Sequence, residues 1–135
     1  MNAHMLLAVL LALLPVPAAR RACIVQRREA IEHDADAASR ASGVPVAVLL
    51  AVAYLESHLG CAPRSGGCWG APVSPAHRGV AGRADHAAAA LAWGYRACTT
   101  DLGAVSHFRC GRCACPHLVG YQPAQAIALV ERLAR

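Results

Sequence analysis

Aromatic residues make up only 4% of this chain: one Phe, two Trp and three Tyr. Isoleucine is equally scarce, with three copies. β-branched and aromatic side chains are the usual material of strands, so their shortage argues against a β-sandwich or a large parallel sheet. Lysine is absent. All 13 basic residues are Arg, and they never cluster with interleaved aromatics as a nucleic-acid surface requires. No apolar run approaches the roughly twenty residues that span a bilayer. Ala (31) and Leu (15), by contrast, are plentiful within a hydrophobic content of 56%. Both are strong helix formers, and that much apolar area excludes intrinsic disorder. The expected class is all-α. Cysteine is the other excess, with seven in 135 residues.

The apolar stretch Met5 to Leu14, followed by Pro15-Val16-Pro17-Ala18, has the length of a secretory h-region. Val16 and Ala18 supply small residues for cleavage after Ala18. The expectation is a signal peptide over residues 1–18 and one domain over 19–135, exported to the periplasm or outside. No stable membrane insertion is expected after cleavage. The leader holds no Arg, Asp or Glu, so the mature domain keeps the net charge of +5. A basic exported domain suits anionic surfaces such as cell-wall polymers; solubility alone accounts for the charge equally well.

Export also explains the cysteines. In an oxidising compartment six can pair and one is left over. Cys61 and Cys68 bracket a short Pro/Gly loop and can close it locally. Cys98 ends a predicted helix, with Cys110, Cys113 and Cys115 as possible partners, and Cys23 is the expected odd thiol. Pairing itself is open, since six cysteines allow about 15 connectivities. Zinc is the rival use of Cys110-x-x-Cys113, with Cys115, His107 and His117 nearby. There is no second pair at ligand spacing, so no metal and no other cofactor is expected.

Helical periodicity runs from Cys23 to about Ala41, where Ile24, Ile31, Ala35 and Ala38 share a face. Ser42-Gly43 ends that helix and Pro45 opens the next. Val46 to Leu55 is apolar on every side, the mark of a buried central helix. Gly60 to Gly82 is irregular and rich in Pro and Gly, a candidate binding loop. Trp69 within it either stacks on a sugar ring or plugs a small core. Asp85 is the expected cap of a helix over His86–Cys98, and Thr100 or Asp101 of a shorter one towards Phe108. Pro123 opens a last amphipathic helix that packs Ile127, Val130 and Leu133.

Glu56 stands at the end of the all-apolar helix, seven residues beyond Leu49 and on the same face as Val52 and Ala53. Partial desolvation there disfavours the charged carboxylate, which is how a general acid is prepared near neutral pH. Equally, Glu56 can simply begin the solvated loop. No other acid has a comparable placement. Asp85 and Asp101 read as helix caps, and those of the first helix as a solvated face. A two-carboxylate glycosidase therefore lacks its second group.

The order of these motifs resembles the lysozyme-like catalytic domain of the soluble lytic transglycosylases, over about residues 37–133. Gly43-Val44-Pro45 leads into Val48 to Leu55 and Glu56-Ser57, close to the family's Glu-Ser helix. Trp69-Gly70-Ala71-Pro72-Val73 stands where the family has Gly-Leu-Met-Gln, and lacks the Gln. Ala104 to Gly111 keeps the spacing of an Ala and a later Tyr-Asn-x-Gly, with Phe108 for Tyr and Arg109 for Asn. Tyr121 matches a Tyr near the last helix. The resemblance implies a compact lysozyme-like fold and cleavage of peptidoglycan glycan strands by one Glu, without water, metal or nucleotide, leaving 1,6-anhydro-muramyl ends. Carried over residue by residue, it makes Glu56 the acid/base. Ser57, Trp69, Gly70, Phe108, Arg109, Gly111 and Tyr121 become candidate substrate-binding residues of a monomer. A non-catalytic peptidoglycan binder of the same fold, or a secreted cysteine-rich helical interaction protein, are the alternatives.

Overall fold

A computed structural model of the chain describes residues 2–62, 69 and 84–134. The described residues form seven helices and no strand: α1 (Ala3–Leu13), α2 (Ala18–Gln26), α3 (Arg28–Ser42), α4 (Val46–Ser57), α5 (Ala84–Cys98), α6 (Asp101–Cys110) and α7 (Pro123–Leu133). None is long and apolar enough to cross a membrane. The all-α expectation holds.

α4 is the central helix. Val48 to Ala53 are all buried, so every face of its middle turns is covered. The covering comes from α1, α3, α5 and α7. Each fully buried Leu or Val here contributes roughly 1.5–3 kcal/mol of hydrophobic stabilisation. The helix needs no polar face because it has none in water.

The stretch assigned to an export leader occupies a place in the core of the uncleaved chain. Ala3, Leu6, Leu7, Leu10 and Leu11 of α1 are buried. Polar contacts fix its start: the Ala3 N–H donates to Asp36 Oδ1 (2.9 Å), and His4 Nδ1 lies 3.0 Å from Glu32 Oε1. At its end the Arg21 guanidinium donates to the Leu11 carbonyl at 2.7 Å. Asp36 and Glu32 therefore serve as α1 anchors, where the sequence suggested a solvated face.

The single helix expected from Cys23 to Ala41 is two. The chain bends at Arg27, whose φ of −98° and ψ of 9° belong to neither helix. Cys23 is bonded to Cys61, and Arg27 reaches the Gly60 carbonyl at 3.5 Å. These ties hold α2 against the end of α4, while Ile24 and Ile31 both stay buried. Periodicity cannot register a bend imposed from 38 residues away. Cys23 is thus not the odd thiol, and Cys61 closes no local loop with Cys68, which lies outside the described residues. Cys98–Cys113 and Cys110–Cys115 complete the pairs. The three cysteines of the zinc alternative are all consumed in them.

The later helices begin where capping chemistry puts them. Thr100, rather than Asp101, caps α6 by accepting from the Gly103 N–H at 3.0 Å. Asp101 sits in the first turn and accepts from Tyr95 Oη at 2.6 Å. Asp85 likewise lies inside the first turn of α5, not ahead of it. α7 starts at Pro123 behind a Gln122/Gln125 capping box and buries Ala126, Leu129 and Leu133. Ile127 and Val130 are only partly buried at the edge of that face.

α5 and α6 meet at Gly94. A Cβ at that position would lie 2.7 Å from the Ala104 carbonyl oxygen, which is backbone and cannot turn away. Gly94→Ala should therefore pry the two helices apart and cost about 1–3 kcal/mol. A thermal melt of the variant reads this directly; an unchanged midpoint means the close approach is not needed.

Candidate active site

α4 ends in an unusual turn. His58, Leu59 and Gly60 all have left-handed backbones, with φ of 49°, 58° and 83°. Two consecutive non-glycine residues in that region are uncommon and cost energy. The cost is offset by burial of Leu59, which is 0% exposed, and by the turn's delivery of Cys61 to Cys23. Ser57 is spent on the same turn. Its hydroxyl donates to the Ala53 carbonyl (3.3 Å) and accepts from the Gly60 N–H (2.9 Å). It is 7% exposed. The hydroxyl expected to contact substrate or orient the acid is engaged in capping the end of the helix.

His58 packs its ring on Tyr54, with centroids 4.9 Å apart. Its buried Nδ1 has no hydrogen-bond partner. Burial first, and then the charge of Arg20, hold its pKa below the ordinary 6.5. A lowered histidine pKa means the unfolded chain binds the proton more readily. His58 therefore contributes stability that is complete above about pH 6.5 and is lost as pH falls below it. Melts between pH 7.5 and pH 5 should show a smaller acid loss for His58→Asn, since Asn tolerates the left-handed backbone. Parallel wild-type and variant curves contradict this.

Glu56, one residue before that turn's cap, is where three elements converge. Tyr121, in the segment leading into α7, donates its hydroxyl to Glu56 Oε1 at 2.8 Å, across 65 residues of sequence. Arg109, from the last turn of α6, lies with its guanidinium 4.3 Å from the centre of the Tyr121 ring. Its Nη1 is 3.9 Å from Glu56 Oε1. The side chains of Glu56 and Arg109 are 11% and 17% exposed. Burial is the main reason the Tyr121 phenol is pushed far above its ordinary pKa, helped by the charge and hydrogen bond of Glu56; the Arg109 charge opposes both. The phenol is a fixed neutral donor at any physiological pH.

This arrangement divides the carboxyl group. Oε1 is occupied by the phenol, while Oε2 has no partner among the described residues. No other acid touches the cluster among the described residues. Asp101 is held by Tyr95, Asp36 by Ala3, and Glu32 by Arg28 and His4.

The remaining sequence candidates divide sharply. Phe108 is partly buried and packs against the core. Gly111 is the exposed left-handed C-cap of α6, with φ of 77°. Its role is to end the helix that carries Arg109. Trp69 is only 3% exposed, which favours the core plug of the two alternatives over the stacking platform. It lines a cleft with Arg27, Asp34, Ala38, Ala84 and Asp85, none of which belongs to the Glu56 cluster. Gly70 lies outside the described residues. Arg109 was expected to meet substrate. Among the described residues its contacts are with Tyr121, Val119 and Glu56. No sequence signal carries that, because the partners are backbone carbonyls and a ring brought up by folding. Among the described residues no three His, Cys, Asp or Glu side chains group to hold a metal.

No protein-family model, no curated protein and no solved structure matches this chain.

Proposed function

We propose that the chain is an exported peptidoglycan-cleaving lytic transglycosylase in which Glu56 is the single acid/base. The observation that carries the proposal is the 2.8 Å hydrogen bond from Tyr121 to Glu56. It joins the two positions at which the sequence best resembles that family. A carboxyl group with one oxygen pinned, and with no partner for the other and no second acid beside it among the described residues, supports a mechanism that uses one carboxylate twice.

In that mechanism the Glu56 proton passes to the glycosidic oxygen, and the bond from that oxygen to the anomeric carbon breaks. The resulting carboxylate takes the proton of the sugar's 6-hydroxyl as that oxygen bonds to the anomeric carbon. Glu56 ends protonated, the glycan carries a 1,6-anhydro end, and no water is consumed. Tyr121 holds the carboxyl group in one orientation throughout, and its neutral hydroxyl supports the anionic stage without competing for the proton.

Export is supported by the three disulfides, which belong to oxidising compartments. The intact mass of the exported protein tests the leader: a new N-terminus at Ala19 is expected, which takes α1 and its buried leucines out of the core, whereas a mass that includes residues 1–18 means that α1 belongs to the working fold. The substrate is tested by digesting purified wall glycan with wild-type protein and weighing the fragments. Ends lighter than hydrolysis products by one water are expected. A non-catalytic glycan-binding role is the second reading, favoured by the engagement of Glu56 with both Tyr121 and Arg109. Retained glycan with no released fragment is its signature.

A further inference from the structure

Residues 111–122 link α6 to α7 without regular secondary structure. The stretch has little core to hold it: Val119 is 97% exposed, and Gly120 is exposed with a left-handed φ of 86°. Yet Tyr121, the next residue, must present its hydroxyl to Glu56 within hydrogen-bond distance. Something other than burial of its neighbours has to fix the backbone there.

Two disulfides tie the start of the stretch at Cys113 and Cys115. The Gln122 side chain bridges back to Leu118, accepting from its N–H at 3.1 Å and donating to its carbonyl at 2.7 Å. Arg109 supplies the tie from α6 to residues 119–121 themselves. Its Nη2 donates to the Val119 carbonyl at 2.8 Å and to the Tyr121 carbonyl at 2.9 Å. The same guanidinium lies over the Tyr121 ring at 4.3 Å. Backbone and ring of one residue are thus gripped by one planar group. Its Nη1 stands 3.9 Å from Glu56, beyond hydrogen-bond length. Arg109 therefore acts on Glu56 directly only through its charge, and its hydrogen bonds go to the segment that carries Tyr121. We propose that Arg109 is a positioning residue, whose planar guanidinium clamps residues 119–121 so that the Tyr121 hydroxyl meets Glu56. The catalytic significance of this clamp rests on the function proposed above; the clamp itself does not.

Lys cannot replace it. An ammonium is a compact point charge on a flexible stem, with no plane to lay on the ring while donating to both carbonyls. A role in charge alone and a role in shape therefore make opposite predictions. The test uses the full chain with Arg109→Lys and Arg109→Met, following each tyrosine by NMR of carbon-labelled phenol rings from pH 7 to pH 11. Tyr121→Phe assigns the signal.

In the wild type Tyr121 should stay un-ionised across the range. In both variants it should leave Glu56 and titrate near the ordinary value of about 10. If Arg109 were merely a neighbouring positive charge, its removal would push the phenol higher still, and Tyr121 would remain un-ionised in Arg109→Met. That result overturns the proposal, as does wild-type behaviour of Arg109→Lys. Loss of the helical circular dichroism signal in both variants would make Arg109 a structural residue and overturn it too.

The glycan assay supplies the second readout. Displacing the phenol should lower kcat by about 10²-fold with KM little changed, in both variants. If the wild type cleaves no glycan, the enzymatic reading fails while the titration still decides the clamp.

Discussion

Glu56→Gln should reduce release of anhydro fragments by about 10²- to 10⁴-fold, the range that a positioned acid/base contributes. Gln keeps the size of the side chain and keeps an oxygen able to accept from Tyr121, whose bond to Glu56 is 2.8 Å. What it removes is the proton to be donated and the carboxylate to receive one. The loss should therefore fall on kcat. The fold should survive, because Glu56 sits beyond the buried run Val48–Ala53 and holds no helix of its own together. Circular dichroism and a melt of the same sample check that. Wild-type release from the variant removes Glu56 from the chemistry.

The second large effect concerns the bond between Cys23 and Cys61. Replacing both by Ala should cost about 4 kcal/mol on the chain-entropy account, because the bridge closes a loop of 38 residues. The same account gives about 3 kcal/mol for Cys98–Cys113, at a separation of 15, and less for Cys110–Cys115, at 5. A small domain has only about 5–15 kcal/mol in total, so losing the first bridge removes a large share. The damage should be local as well as global. Cys61 follows the left-handed turn at His58, Leu59 and Gly60, and Cys23 lies in the helix that bends at Arg27. Urea unfolding of the three double-Ala variants should rank them in that order. A Cys23/Cys61 variant as stable as wild type would show that the bend and the turn hold without the bridge.

How far the sequence discloses this molecule follows from the range of each force. α4 is legible because an unbroken apolar segment has one stable place, the middle of the core. α6 and α7 are legible because Thr100 and Pro123 carry their capping chemistry in the residue itself. The bend at Arg27 is not legible, since it is set by a covalent tie and a carbonyl contact at the far side of α4. The cysteine pairing fails for the same reason: Cys61 and Cys68 are near in sequence, yet Cys61 meets Cys23. At the site, Glu56 and Tyr121 could be paired only through a family resemblance, as nothing in their spacing implies contact. The role of Arg109 was beyond even that, because the family position it occupies holds a different residue. Ser57 carries a structural task that the motif does not announce. A hydroxyl beside a candidate acid suggests chemistry, but the end of a helix needs caps, and that need came first.

The central claim is that one carboxyl group acts twice and water does not enter the bond. Cleaving purified peptidoglycan in water enriched in heavy oxygen, and weighing the new muramyl ends, tests it most directly. The account predicts fragments with no incorporated label, each closed as a 1,6-anhydro ring. Fragments carrying one heavy oxygen at a reducing end would contradict it, because water would then have attacked the anomeric carbon.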